Sequence, residues 1–248
     1  MQQWQSQAIV LSVKKFSERD LLVNVFAREQ GLHSGIVKAG QSKTKASLYQ
    51  AGNVLAMNWS SRLRDQLGNF AGELEEPIFA KLMQDRVKLQ ALLALTAVLR
   101  DSLAERDEHD DLYDALLSFL QHLCVAGDWL KDYASFEVQM LRMLGFGLDL
   151  SECAVTGMTV GLEYVSPKTG RAVTVQGASG YEHKLFKLPK FLLDGGECSN
   201  AEILQSLEIT GHFLQQNIFN PQHKHMPDER VRLVKLLIVF PKLHATRR

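Results

Sequence analysis

Five short runs of strand character crowd into residues 4–73, and no helix-length pattern separates them. Ile9, Leu11 and Val13 alternate with Ala8, Val10 and Ser12, and Leu21, Val23, Val25 and Ala27 alternate with Leu22, Asn24 and Phe26. After the turn signal Glu29-Gln30-Gly31 come residues 33–37, 54–59 and 67–71. Period-two alternation of β-branched and aromatic residues marks a strand with one buried face. Five such strands in so short a stretch call for a small closed or nearly closed barrel, because closure hides strand edges. Between the third and fourth runs, Val37-Lys38-Ala39-Gly40-Gln41-Ser42-Lys43-Thr44-Lys45 reads as a flexible basic loop.

Charge is unevenly spread. The whole chain is neutral, with 28 basic and 28 acidic residues. Residues 1–70 nevertheless carry Lys14, Lys15, Arg19, Arg28, Lys38, Lys43, Lys45, Arg62 and Arg64 against Glu18, Asp20, Glu29 and Asp65. These bases fall mostly in turns and loops, and in a small barrel such loops can converge on one rim into a positive groove. A groove of this kind tracks a phosphate backbone, and Phe16, Tyr49 and Trp59 are aromatics on which bases could stack. The plainer reading is a solvated basic surface.

At 248 residues, 46% apolar and 23% charged, the chain can hold one large globular domain or two ordinary ones. The longest apolar run, residues 233–240, is too short to span a membrane and is broken by Lys235. Residues 1–4 show no basic start followed by an apolar core, which predicts no signal peptide. Cys124, Cys153 and Cys198 are odd in number and widely spaced, which suits a reducing cytoplasm.

The pattern changes at Glu73-Leu74-Glu75-Glu76-Pro77, which reads as a domain junction. We expect domains at 1–76 and 77–248. Helical spacing predicts helices over residues 79–100, 112–125 and 128–144, the last capped by Asp128. The acidic stretch from Asp101 to Asp114 reads as a helix start and connection, since carboxylates suit helix N-termini; a metal site is the other reading. Residues 148–190 are rich in Gly, Ser, Thr and Val and read as a small irregular β insert. Asn200 can cap a fourth helix to about residue 217. Asp228 opens a last helix to Val239, with Val231, Val234, Leu237 and Ile238 on one side, before a basic tail of Lys242, His244, Arg247 and Arg248.

Several chemistries lack their residues. Gly195-Gly196 is not followed by the Lys-Ser/Thr ending of a triphosphate loop, and no Gly-x-Ser-x-Gly elbow occurs. His223 and His225 have no accompanying ligand set. Cys124 falls in an apolar stripe and reads as a packed hydrophobe. Cys153 opens Cys153-Ala154-Val155-Thr156-Gly157, with Thr156 where a knuckle would need its second cysteine. One sulfur does not make a tetrahedral zinc site. We therefore expect no metal, no cofactor and no enzymatic chemistry.

These residues resemble RecO, the bacterial recombination mediator family of the RecF pathway. The resemblance rests on Phe16-Ser17-Glu18-Arg19-Asp20, on Val25-Phe26-Ala27-Arg28-Glu29-Gln30-Gly31 and on Val37-Lys38-Ala39-Gly40. Leu141-Arg142-Met143-Leu144-Gly145-Phe146-Gly147-Leu148-Asp149-Leu150 before Cys153 completes it. It covers nearly the whole chain and implies an α+β protein: an N-terminal five-stranded OB-fold barrel, then a helical domain with a zinc-finger-like insert. It implies a cytoplasmic, nucleoid-associated protein that binds single- and double-stranded DNA and anneals complementary strands. It also implies partnership with RecR and single-stranded-DNA-binding protein in loading RecA. Two departures stand out. Some members carry four zinc-binding cysteines in the insert, of which only the Cys153 position survives. Many have an Arg before the Phe-Glu pair of the third helix, where this chain has Ser135 before Phe136-Glu137.

A receptor for the acidic tail of the single-strand-binding protein needs an apolar slot flanked by fixed positive charge. The third helix offers Lys131 and Arg142 with Leu130, Phe136 and Leu141. The basic region with Lys224, Arg230, Arg232 and Lys235 is the alternative receptor. Two rival readings of the whole protein are an RNA-binding barrel protein, since small barrels bind either nucleic acid, and a pure interaction scaffold.

Overall fold

A computed structural model describes residues 2–62, 67–125, 127 and 129–239. The expected site residue Arg64, the cap Asp128 and the basic tail lie outside the described residues. The chain packs as two compact units, Met1–Ala126 with Pro227–Leu233 and Gly127–Met226 with Val234–Arg248.

In the first unit, β1 (Gln2–Lys15), β2 (Leu21–Ala27), β3 (Gly31–Val37), β4 (Val54–Ser61) and β5 (Gly68–Glu76) close a five-stranded barrel in the order β1-β2-β3-β5-β4. Strands β3 and β5 run parallel at Gly35 opposite Gly68, and the other pairs are antiparallel. This is OB-fold topology. The long β1 serves two neighbours: Gln2 to Ile9 pair with β4, and Ala8 to Lys15 pair with β2. The β1–β2 register shifts between Val10 and Ser12. A bulge of this kind bends a strand, which is how one strand turns from one side of a barrel to the other.

Val10, Val23, Val25, Leu55, Met57 and Trp59 fill the barrel. The single buried face expected for β1 is only half of what occurs. Ile9 and Leu11 are buried as fully as Ala8 and Val10, because α3 (Arg86–Ser102) packs on β1 from outside.

Three further expectations are corrected. The basic stretch is not a flexible loop throughout: α1 (Lys43–Leu48) begins within it, with Ser42 as N-cap accepting from the Lys45 N–H. The single helix expected over residues 79–100 is two, α2 (Ile78–Leu82) and α3, because the Asp85 side chain accepts from the N–H groups of Val87 and Lys88 and starts a new helix. Tyr49 and Trp59 are not free to stack on a base; both sit in the barrel core, and the Gly72 N–H donates to the Tyr49 hydroxyl.

The acidic stretch ends in α4 (Asp110–Leu123), with Asp110 and Asp111 in its first turn, where the helix dipole favours them. Cys124, only partly buried, is the C-cap residue of α4.

The second unit is built on α5 (Trp129–Met143) packed on α7 (Asn200–Phe213). Ser199, one residue before the expected Asn200, caps α7 in a reciprocal capping box with Glu202. The helix continues as a π segment, Leu214–Phe219. Between α5 and α7 lie the strands β6 (Leu162–Val165), β7 (Ala172–Thr174) and β8 (Phe186–Lys187), a small sheet in the order β7-β6-β8, and the short α6 (Phe191–Asp194). The last helix, α8 (Asp228–Val239), has the expected bounds, but it buries Leu233 and Leu237 and leaves Ile238 exposed.

Candidate nucleic-acid interface

The pairing of β1, β2 and β3 brings distant bases to one end of the barrel. Lys15 lies opposite Leu21, and Leu21 lies opposite Val37. The end of β1 with Lys14 and Lys15, and the β1–β2 turn with Arg19, therefore meet the segment that follows β3, which carries Lys38 and, at the start of α1, Lys43 and Lys45. The two turns are tied by hydrogen bonds. Asp20 Oδ1 accepts from the Ala39 N–H at 2.9 Å, Asp20 Oδ2 lies 3.0 Å from Lys38 Nζ, and the Gln41 N–H donates to the Arg19 carbonyl at 3.0 Å. The hydrogen bond from Ala39, and then Lys38, holds the Asp20 carboxyl below its usual range. Lys45 Nζ donates to the Lys38 carbonyl at 2.8 Å.

Ala39 sits at φ +52, in the left-handed region, and Gly40 follows it. A Cβ on Gly40 would lie 2.9 Å from Leu21 Cγ, so only glycine lets this turn close down on β2. The result is a surface of exposed cations around Phe16, which is 52% exposed. One acidic side chain, Asp20, fixes the geometry, and most of the cations stay free to meet a polyanion.

Two of the expected bases are not part of this cluster. Arg28 follows β2 at its far end, roughly 20 Å along the strand. It forms an ion pair with Asp114 of α4 and lies over the Tyr113 ring, 5.4 Å from its centroid. Arg62 follows β4, at the end where Ser61 pairs with Gln2. A count of charges along the chain could not reveal the Arg28 partner, which lies 86 residues away.

The partner-binding candidates on α5 are separated from the apolar residues grouped with them. Leu130, Phe136 and Leu141 are buried in the core of the second unit. Lys131 Nζ donates to the Gly195 carbonyl at 2.5 Å, and Arg142 is exposed. Phe146, four residues on, is 39% exposed.

The insert does not fit the zinc that the resemblance associates with some members. Two turns face each other there, one spanning Cys153 and Thr156, the other Thr174 and Gly177. Their ends lie where four knuckle ligands would stand, but they offer one thiol, two hydroxyls and a glycine. The N–H groups of Thr156 and Thr174 donate to Cys153 Sγ at 3.4 and 3.3 Å. Thr174 Oγ1 lies 3.4 Å from that sulfur and accepts from the Gly177 N–H at 3.1 Å. Burial alone would push the Cys153 thiol up, but the hydrogen bonds from Thr156 and Thr174 outweigh it and bring its pKa to about 6. The equal two-residue gaps, 153 to 156 and 174 to 177, are the signal that could have exposed this arrangement in the sequence.

A closed OB barrel with a cationic turn cluster, followed by a helical unit bearing a knuckle-like insert, defines the class: a two-unit OB-barrel protein. The particular family follows from comparison with known proteins. The N-terminal model of recombination protein O matches residues 1–77 and its C-terminal model matches residues 83–227. The chain is 40% identical over 235 residues to the DNA repair protein RecO of Hyphomonas neptunium, covering 94% of this chain and 97% of that one. It is 38% identical over 234 residues to the RecO of Granulibacter bethesdensis, covering 93% and 94%. Against the RecO of Rhodospirillum centenum it is 37% identical over 246 residues, covering 98% and 97%. The chain belongs to the RecO family of DNA repair and recombination proteins. Among the described residues no helix is long and apolar enough to cross a membrane.

Proposed function

We propose that this protein is a recombination mediator that binds single- and double-stranded DNA, anneals complementary strands and, with RecR, helps load RecA onto DNA coated by single-stranded-DNA-binding protein. The observation that carries this reading is the convergence of Lys14, Lys15, Arg19, Lys38, Lys43 and Lys45 at one end of an OB barrel, in a chain whose net charge is zero. Local cations of this kind lower the repulsion between two phosphate backbones without making the whole protein basic. The reaction is physical, with no covalent step, and takes place in the cytoplasm at the nucleoid.

The acidic tail of the single-strand-binding protein docks, in this reading, at Lys131 and Arg142, with exposed Phe146 supplying the apolar surface that buried Leu130, Phe136 and Leu141 cannot. Annealing of complementary strands at low and high salt tests the reading. Acceleration that fades as salt rises supports it. No acceleration at any salt identifies a scaffold, and a preference for RNA strands identifies an RNA-binding protein. A labelled tail peptide that binds the Lys131→Ala, Arg142→Ala double variant as tightly as the parent removes the receptor from α5.

A further inference from the structure

The barrel has a second concave region toward the start of β1, and its chemistry is the opposite of the cationic cluster. Trp4 on β1 faces Trp59 on β4, and Trp59 faces Phe70 on β5. The two indoles are stacked with centroids 6.0 Å apart, and His33 of β3 meets both edge-on, at 5.1 and 5.4 Å. Two cavities open on these rings. One, of about 450 Å³, is lined by amide and hydroxyl side chains including Gln3, Asn58 and Asn69, and no charged residue is among its described lining. The other, of about 650 Å³, adds His33 and, from the segment between α3 and α4, Arg106 and Glu108.

We infer that this aromatic end of the barrel takes an unpaired nucleobase of single-stranded DNA, stacked on Trp4, and so forms a base site separate from the phosphate-binding turns. The inference rests on the nucleic-acid reading above and adds a second site to it.

Four observations support a flat, neutral, hydrogen-bonding ligand. Trp4 is only partly buried and lines both cavities, so part of its ring can be reached from them. The indole N–H groups of Trp4 and Trp59 are buried and have no partner among the described residues; unpaired buried donors of this kind are costly, and a small shift of Trp4 on binding would let an acceptor relieve one of them. The surrounding amides both donate and accept, as a base edge requires, and carry no charge to attract an ion. Burial, and then the nearby Arg106, holds the His33 imidazole below its usual pKa, so His33 adds no charge to the wall at physiological pH. Arg106 is the one guanidinium in the described lining of the larger cavity and suits the phosphate next to a docked base.

The test uses the full chain labelled with 5-fluorotryptophan, the resonances of Trp4, Trp59 and Trp129 being assigned by single Trp→Phe changes. It is titrated with short oligothymidylate and with an abasic oligonucleotide of equal length. We expect both to bind, because both carry the phosphates. Only oligothymidylate should move the Trp4 and Trp59 resonances, and Trp129 should stay in place. Trp4→Ala should weaken oligothymidylate by roughly five- to 150-fold, the range for removing one stacked base, and leave abasic binding unchanged. Unchanged abasic binding also shows that this variant is folded, and Trp4→Phe should recover most of the loss.

Oligothymidylate that binds without moving Trp4 or Trp59 overturns the base site and leaves the phosphate reading standing. So does an equal response to both ligands, or an equal loss of both in Trp4→Ala. If neither oligonucleotide binds, both readings fall.

Discussion

Two loop junctions in this protein are each gathered on one acceptor, and they differ in what they leave outside. At the cationic end of the barrel, Asp20 collects the Ala39 N–H and the Lys38 ammonium. In the insert, Cys153 collects the N–H groups of Thr156 and Thr174. The Asp20 junction turns its side chains outward and leaves most of its lysines free, so it can meet a polyanion. The Cys153 junction is closed: the cysteine is 1% exposed, and two hydroxyls pack where further ligands could stand. One acceptor in a turn organises backbone equally well in both places. The residues around it decide whether the result is an interface or a staple.

The largest test of this contrast converts the staple. In Thr156→Cys, Thr174→Cys, Gly177→Cys the three missing sulfurs join Cys153. We expect one tightly bound zinc per chain, since structural zinc sites in peptides contribute about 10–16 kcal/mol. Elemental analysis reads the metal in variant and parent. The parent should hold no stoichiometric zinc; one zinc per parent chain, released by Cys153→Ser, would show that the hydrogen-bonded arrangement is not the native one.

The second test titrates the sulfur. Its folded pKa of about 6 lies below the ordinary thiol value of about 8.5. The thiolate therefore favours the folded state, and its contribution is complete above the ordinary value. It is lost as pH falls toward the folded value and is gone below about 6. Thiolate absorbance in the ultraviolet, taken as parent minus Cys153→Ser, should show a midpoint near 6. A midpoint near the ordinary value would mean that these hydrogen bonds do not favour the thiolate.

The smallest effect is at Asp20. Its carboxyl is held below the usual range, so its contribution is present at neutral pH and is lost as pH falls through the folded value, below about 3.9. Asp20→Asn should lower neutral stability slightly, leave stability at low pH unchanged, and so flatten the acid side of the stability curve. An unaltered acid limb in urea unfolding would show that Asp20 does not hold the two turns together.

Much of the barrel was legible because alternation survives wherever one face of a strand is buried. Residues 21–27 and 54–59 read directly as β2 and β4. The first half of β1 did not. Gln2, Gln3, Gln5 and Ser6 are polar, and what makes them strand is pairing with β4 some fifty residues on, which local pattern does not record. Helix α1 is six residues long, too short for a helical period, and only the Ser42 cap betrays it. The cationic cluster was legible as a local excess of charge. Its membership was not: the exclusion of Arg28 depends on Asp114, and the convergence of Arg19 with Lys38 depends on register. The aromatic end was missed for the same reason, since Trp4, His33, Trp59 and Phe70 are scattered singly along the chain and meet only when the barrel closes.

The central claim is that the turn cluster, and not the bases at the far end of the barrel, meets the phosphates. It is tested by the salt dependence of single-stranded-DNA affinity in three proteins: the parent, the Lys38→Ala, Lys43→Ala, Lys45→Ala variant, and Arg28→Ala. Each single-strand phosphate that the protein no longer neutralises should flatten the slope of log affinity against log salt by roughly 0.7. The account predicts a slope shallower by about 2 in the lysine variant, with weaker binding to many sequences alike, and a parental slope in Arg28→Ala, which follows the opposite end of β2 and stands outside the cluster. A parental slope in the lysine variant, or a slope that falls in Arg28→Ala instead, would contradict it.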